Sequence, residues 1–194
     1  MIGLTFTPPT SWAHSSRLVS MADDPNYDHS KVERWSRRIR RRLSLAHGLN
    51  EGLFSLNNLY IPINHKNVHW LTLHINFVKK KISLWDSQGE KETNKLYTHT
   101  ALRYLGDEYE KAYPSRDLIE WMRSWTIEDL SDECPQQAND FDCGIFTLLN
   151  LSLLIEGGVS ITRDSYSQAS VDTKEVRKVI AHILWEASAN KPAV

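Results

Sequence analysis

Four side chains in this 194-residue sequence have the types and spacing for acyl transfer: Cys143, His69, Asp86 and Gln137. Cys143 stands in Asp142-Cys143-Gly144, where a polar loop gives way to the apolar run CGIFTLLNLSLLIE. A helix starting there sets its positive N-terminal end against the sulfur, which lowers a thiol's pKa and favours the nucleophilic thiolate. Gly144, with no side chain, lets another chain approach closely. His69 opens the run VHWLTLHINF (68–77) and Asp86 lies near the end of KISLWDS (81–87). Paired as an antiparallel hairpin around Val78-Lys79-Lys80, the two runs bring both residues to the open end. Cross-strand neighbours on one face have Cβ atoms about 4.5–5.5 Å apart. The odd separation of 17 (86 − 69) suits a directly opposed pair. The carboxylate would then hold one imidazole nitrogen and leave the other free as a base. Gln137, six residues before the cysteine (143 − 137), could set an amide N–H beside the backbone N–H of Cys143 and so complete an oxyanion hole.

Each residue alone has an ordinary reading. His69 could be a satisfied strand-edge histidine, Asp86 a turn residue, Cys143 a small buried hydrophobe and Gln137 a solvated loop amide. Together they supply a nucleophile, a base, an orienting carboxylate and an oxyanion donor, roles that recur in varied chain order.

These side chains need elements to position them. Residues 1–26 read as irregular, with Pro8-Pro9 and Asp24-Pro25 as breakers. Ser30 and Glu33 form a capping box, and Val32, Trp35, Ile39 and Leu43 recur at helical spacing, so a helix is expected up to about Gly48. Its other faces are basic (Lys31, Arg34, Arg37, Arg38, Arg40, Arg41, Arg42), which reads as a solvated face or as a nuclear-localisation or acidic-surface patch. After the hairpin, residues 93–113 read as a helix stopped by Pro114. Residues 116–130 read as a short helix and then a strand around Trp125-Thr126-Ile127. Residues 143–156 form an apolar helix ended by Gly157-Gly158, and 173–187 a final amphipathic helix. Helices around a hairpin indicate an α+β fold with a mainly antiparallel sheet.

The segments PINHKNVHW (62–70), LWDS (84–87) and CPQQANDFDCGIF (134–146) resemble the SUMO/sentrin-specific proteases, cysteine proteases of ubiquitin-like modifiers. YDHSKVERWSRRIRRR (27–42) resembles that family's basic Trp-containing helix, and Tyr166-Ser167-Gln168 precedes a C-terminal helix as the family's pattern has it. The likeness covers roughly residues 12–187. It implies a papain-like α+β fold, with a central, mostly antiparallel sheet flanked by helices and the catalytic cysteine on one of them. It implies His69 as general base, Asp86 as its orienter, Cys143 as nucleophile and Gln137 as oxyanion donor. Trp70 matches a tryptophan that lines a narrow channel admitting only the flat Gly-Gly tail of a modifier; it also reads as a core aromatic on the strand face opposite His69. The expected partners are a ubiquitin-like modifier, SUMO first, and its conjugates, in the nucleus or cytoplasm. Relative to the family, the chain is expected to have a shortened N-terminus, because no Trp-Leu-Asn-Asp type segment carrying the channel's other tryptophan is found. Asp140 stands where the family often has Gly.

Composition agrees with one catalytic domain over residues 1–194. Hydrophobic residues make up 41% and charged residues 24%, which fits a globular chain. Lys+Arg 23 against Asp+Glu 24 demands neither nucleic acid nor an anionic membrane. The longest apolar stretch, Ile145–Ile155, is interrupted by Thr147, Asn150 and Ser152 and is too short to span a bilayer, and the first residues do not read as a secretory signal. Two cysteines, Cys134 and Cys143, rule out a disulfide scaffold and are expected to be reduced. The eight histidines show no zinc-ligand spacing, so neither metal nor cofactor is expected. The favoured activity is hydrolysis after the Gly-Gly terminus of a ubiquitin-like modifier. The alternatives are a deneddylase, deubiquitinase or acetyltransferase on the same scaffold, and a truncated, non-catalytic modifier-binding relative.

Overall fold

The computed structural model describes residues 37–38, 41, 52–89, 91–156, 161–167 and 169–189. The expected basic helix lies outside them except for Arg37, Arg38 and Arg41, which are helical and exposed. The irregular segment 1–26 also lies outside.

A short 3-10 turn, Gly52–Ser55, leads into strand β1, Asn58–His65. Strand β2 is His69–Asn76 and β3 is Lys81–Trp85, so the expected hairpin is present within a residue or two. Helix α1 spans Lys91–Ala112, α2 spans Leu118–Arg123, and β4 is Thr126–Asp129. Helix α3 runs Cys143–Ile155 and α4 runs Thr173–Ala189. The sheet order is β1-β2-β3-β4, with β1–β2 and β2–β3 antiparallel and β3–β4 parallel.

β1 is the element that sequence reasoning did not anticipate. Its Leu59, Ile61 and Ile63 alternate onto one face, but Pro62 at its centre reads as a breaker. As an edge strand, β1 has one side of its backbone with no ladder partner in this sheet, and there a proline removes no needed donor.

Alternation gives the sheet two covered faces. Ile63, Leu71, Leu73, Ile75, Ile82 and Leu84 form one core with Tyr97, Ala101, Tyr104 and Leu105 of α1, residues that recur every three or four positions along that helix. Burying a side chain of this size contributes about 1.5–3 kcal/mol. The opposite face carries α3: Thr72 Oγ1 donates to Thr147 O at 3.4 Å, and Tyr60 OH donates to Leu154 O at 3.1 Å. Trp121 and Trp125 are packing aromatics, with Tyr109 stacked on Trp121 at 4.2 Å.

The β1–β2 connection fixes where β2 begins. Lys66 and Asn67 both have positive φ (50° and 63°), and Val68 N–H donates to His65 O at 3.0 Å. This is the left-handed geometry of a tight primed hairpin turn, for which asparagine is well suited. It delivers His69 as the first residue of β2, directly opposite His65.

Candidate active site

His69 and Asp86 meet at that end of the sheet. His69 Nε2 and Asp86 Oδ1 are 2.6 Å apart, with His69 5% and Asp86 0% exposed. The contact is diagonal, not directly opposed as the spacing suggested. Thr72 pairs with Trp85, so the ladder's continuation sets Leu71 across from Asp86, and His69 lies two residues further on. Diagonal neighbours on one face are about 7–8 Å apart, within reach of an imidazole and a carboxylate. Asp86 Oδ1 also accepts the N–H of Gln88 at 2.8 Å, which fixes the carboxylate in place. His69 Nδ1 is buried without a hydrogen-bond partner. One ring nitrogen is therefore held by a carboxylate and the other is free, as a general base requires.

His65, which faces His69 across the ladder, turns its Nδ1 to the hydroxyl of Tyr97.

Cys143 is the first residue of α3, 4% exposed, with Asp142 as the N-cap. The first N–H groups of a helix have no intrahelical acceptor, so they point at whatever lies beyond the N-terminus. Cys143 and Gly144 line a cleft of about 640 Å³ together with Val68, Trp70, Phe141 and Arg177. A Cβ built on Gly144 would stand 3.6 Å from Trp70 Cδ1. The glycine and the indole thus face each other across a narrow gap. Trp70 turns to the α3 side of the sheet, while its neighbour His69 belongs to the α1 side with Asp86. The residues on either side of His69, Val68 and Trp70, line the cleft that holds Cys143.

Gln137 is tied to the end of β3 and to its own loop. Its N–H donates to Ser87 O at 3.1 Å, its Oε1 accepts from Ser87 Oγ at 2.6 Å, and its Nε2 donates to Asn139 O. It lines a polar concavity of about 460 Å³ beside the cleft, with Ser87, Gln88 and Asn139; Asp140 borders both. The link to Ser87 ties it to the residue after Asp86.

The model of the Ulp1 protease family, C-terminal catalytic domain, matches residues 15–182. The chain belongs to this family. It is 31% identical over 142 residues to Ubiquitin-like-specific protease ESD4 of Arabidopsis thaliana, covering 73% of this chain and 25% of that protein. It is 33% identical over 120 residues to Sentrin-specific protease 2 of Homo sapiens, covering 61% of this chain and 17% of that one. The chain spans about a quarter or less of the length of these curated relatives. Similar solved structures include the Ulp1-like SUMO protease catalytic domain of Chaetomium thermophilum, at 22% identity and TM-score 0.48, over 72% of this chain and 55% of that one. Another is the C-terminal Ulp1 protease domain in complex with Smt3, the yeast ortholog of SUMO, at 19% identity and TM-score 0.47, over 81% and 67%.

In this Ulp1-family chain the second cysteine is not equivalent to the first. Cys134 is fully buried, and its thiol donates to Asp86 O at 3.4 Å. Burial, helped by the nearby Asp86 charge, pushes its pKa up to about 12. It stays a thiol at neutral pH and braces the peptide that carries the dyad's carboxylate. Sequence reasoning missed Asp142, Asn139 and Arg177, which surround the start of α3. Asp142 was visible only as the neighbour of Cys143, and Arg177 only as one more charge on an amphipathic helix.

Proposed function

We propose that this chain is a cysteine protease catalytic domain that hydrolyses the peptide or isopeptide bond after the C-terminal Gly-Gly of a ubiquitin-like modifier of the SUMO class. The observation that carries the reading is the buried His69–Asp86 bond at 2.6 Å, which leaves Nδ1 without a partner one residue from the cleft of Cys143. His69 Nδ1 takes the thiol proton of Cys143, and the thiolate adds to the carbonyl carbon of the terminal glycine. The oxyanion accepts hydrogen bonds from the Cys143 backbone N–H and from Gln137, whose amide has a second N–H beyond the one given to Asn139. Imidazolium returns its proton to the departing amine, which leaves a thioester. Water, deprotonated by His69, hydrolyses it and releases the modifier's carboxylate and the free thiol.

Gly144 and the Trp70 indole line the same cleft, and a wall built of a glycine and a flat ring suits a tail of two glycines lying over it. The choice of SUMO draws on the sentrin-specific name of one relative and on the Smt3 complex of a structural neighbour. Such substrates act in the nucleus or cytoplasm, and among the described residues no helix is long and apolar enough to cross a membrane.

The test is a panel of modifiers ending in Gly-Gly with a cysteine-reactive warhead: SUMO, the neddylation modifier and ubiquitin, with Cys143→Ala as control. A Cys143-dependent adduct with the SUMO probe is expected. An adduct with only another modifier would reassign the substrate, and no adduct from folded protein would overturn the protease reading.

A further inference from the structure

The residue before the nucleophile carries a charge that the reaction does not use. Asp142 is 1% exposed and immediately precedes Cys143. An ionised carboxylate this close opposes formation of a thiolate, and a buried one without a counter-charge is costly to hold. Arg177 of α4 answers both. Its Nη2 donates to Asp142 Oδ1 at 2.9 Å and to the Phe141 carbonyl at 3.0 Å.

The contact does not stop at Asp142. Asp142 Oδ2 accepts from Asn139 Nδ2 at 2.9 Å. Asn139 Oδ1 accepts the backbone N–H groups of Phe141 and Asp142 at 3.1 and 3.0 Å. The carbonyl of Asn139 takes the Gln137 amide, whose Oε1 accepts from Ser87, the residue after Asp86. One cation at the outer end of this relay fixes the backbone entering α3 and, through Asn139, the loop that carries Gln137.

The charged and titratable groups around the thiol are Asp140 and Asp142 from the loop, Arg177 from α4, and the His69–Asp86 pair at the ends of β2 and β3. The first turn of α3, Cys143-Gly144-Ile145-Phe146, contributes none. Arg177 is the cation in this set besides a protonated His69, and its side chain is 51% exposed, so removing it empties no core.

We propose that Arg177 is a positioning residue for the nucleophile: it neutralises Asp142 and holds the 137–143 loop, so that Cys143 stands on a fixed backbone with no uncompensated carboxylate beside it. The proposal rests on Cys143 being the nucleophile, and its test needs no modifier. The rate of Cys143 alkylation by iodoacetamide is measured on the full chain from pH 5 to 9, with the site read by mass spectrometry. In Arg177→Met, the pH of half-maximal alkylation is expected to rise by about one unit and the rate at pH 7 to fall about tenfold, the size expected for a carboxylate stripped of its counter-charge. Arg177→Met combined with Asp142→Asn is expected to return to within about threefold of wild type, because the unpaired charge is gone. Arg177→Lys, which keeps the charge, is expected to recover most of the rate and stands in if Arg177→Met does not fold. A purely structural role for Arg177 predicts instead that the double variant is at least as slow as the single one. That result, or a wild-type alkylation profile in Arg177→Met, would overturn the proposal. Wild-type Cys143 that alkylates readily yet processes no modifier would overturn the protease reading and leave this one standing.

Discussion

Gly144→Ala separates the requirement of the fold from the requirement of the cleft. Gly144 is the second residue of α3, and its φ is not in the left-handed region, so alanine suits the backbone. The new Cβ would meet Trp70 Cδ1 at 3.6 Å, an ordinary van der Waals contact that moves nothing. Alanine in place of glycine stabilises a helix interior by about 0.5–1 kcal/mol and less at its first turn. The variant should therefore melt between the wild-type temperature and about 4 °C above it. The same methyl would stand up from the cleft wall over which the proposed glycine tail lies. Overfilling a fitted site costs about 1–3 kcal/mol, which at 1.36 kcal/mol per decade is a loss of about 5- to 150-fold in kcat/KM. The assay is hydrolysis of a SUMO precursor or Gly-Gly-terminated reporter beside a thermal melt and iodoacetamide labelling of Cys143, which should be unchanged. A variant as stable as wild type with kcat/KM within twofold of it would refute the slot argument.

Other outcomes follow from the same geometry. Asp86→Asn should leave the fold intact but let an amide N–H face His69 Nε2, which forces the wrong tautomer; kcat should fall on the order of 10²- to 10⁴-fold, read by steady-state kinetics. Because the Cys134 thiol is pushed up to about 12, iodoacetamide at pH 8 should modify Cys143 alone, and Cys143→Ala should show no adduct by intact-mass measurement. His74 is stacked on Tyr60 and held by Asn58 Oδ1, and burial, with Lys81 and Lys79 nearby, lowers its pKa from 6.5 to about 4. The unfolded chain then binds this proton before the folded one does, so stability should be complete above about pH 6.5 and decline as pH falls towards 4. Urea midpoints should show a shallower acid slope in His74→Gln, and equal slopes would remove His74 as the cause.

The sequence carried the local chemistry better than the register. Cys143 at the first turn of α3 was readable because a polar loop meets an apolar run there, and helix starts obey local rules. The β2–β3 hairpin was readable from its β-branched and aromatic runs, and the odd separation of His69 and Asp86 correctly put them on one face. The two-residue offset between them was not readable, because it depends on a four-residue turn, 77–80, in which Lys80 has positive φ. β1 was hidden by Pro62, whose tolerance depends on being at the edge of a sheet whose order no single strand reveals. The clamp on Asp142 was hidden for the same reason: Arg177 lies 35 residues on in another helix, and only packing joins them.

That clamp bears on the chain as it is synthesised. The dyad comes from residues 69 and 86 and the thiol from 143, but the cation that steadies the thiol's flank arrives at 177. At about 5–20 residues per second, the 34 residues between Cys143 and Arg177 take roughly 2–7 s to add. During that interval a nascent chain holds Cys143, His69 and Asp86, yet the backbone entering α3 lacks its anchor. Helix α4 thus acts as a timing element: the backbone entering α3 gains its anchor only once the segment that carries Arg177 has been added and packed.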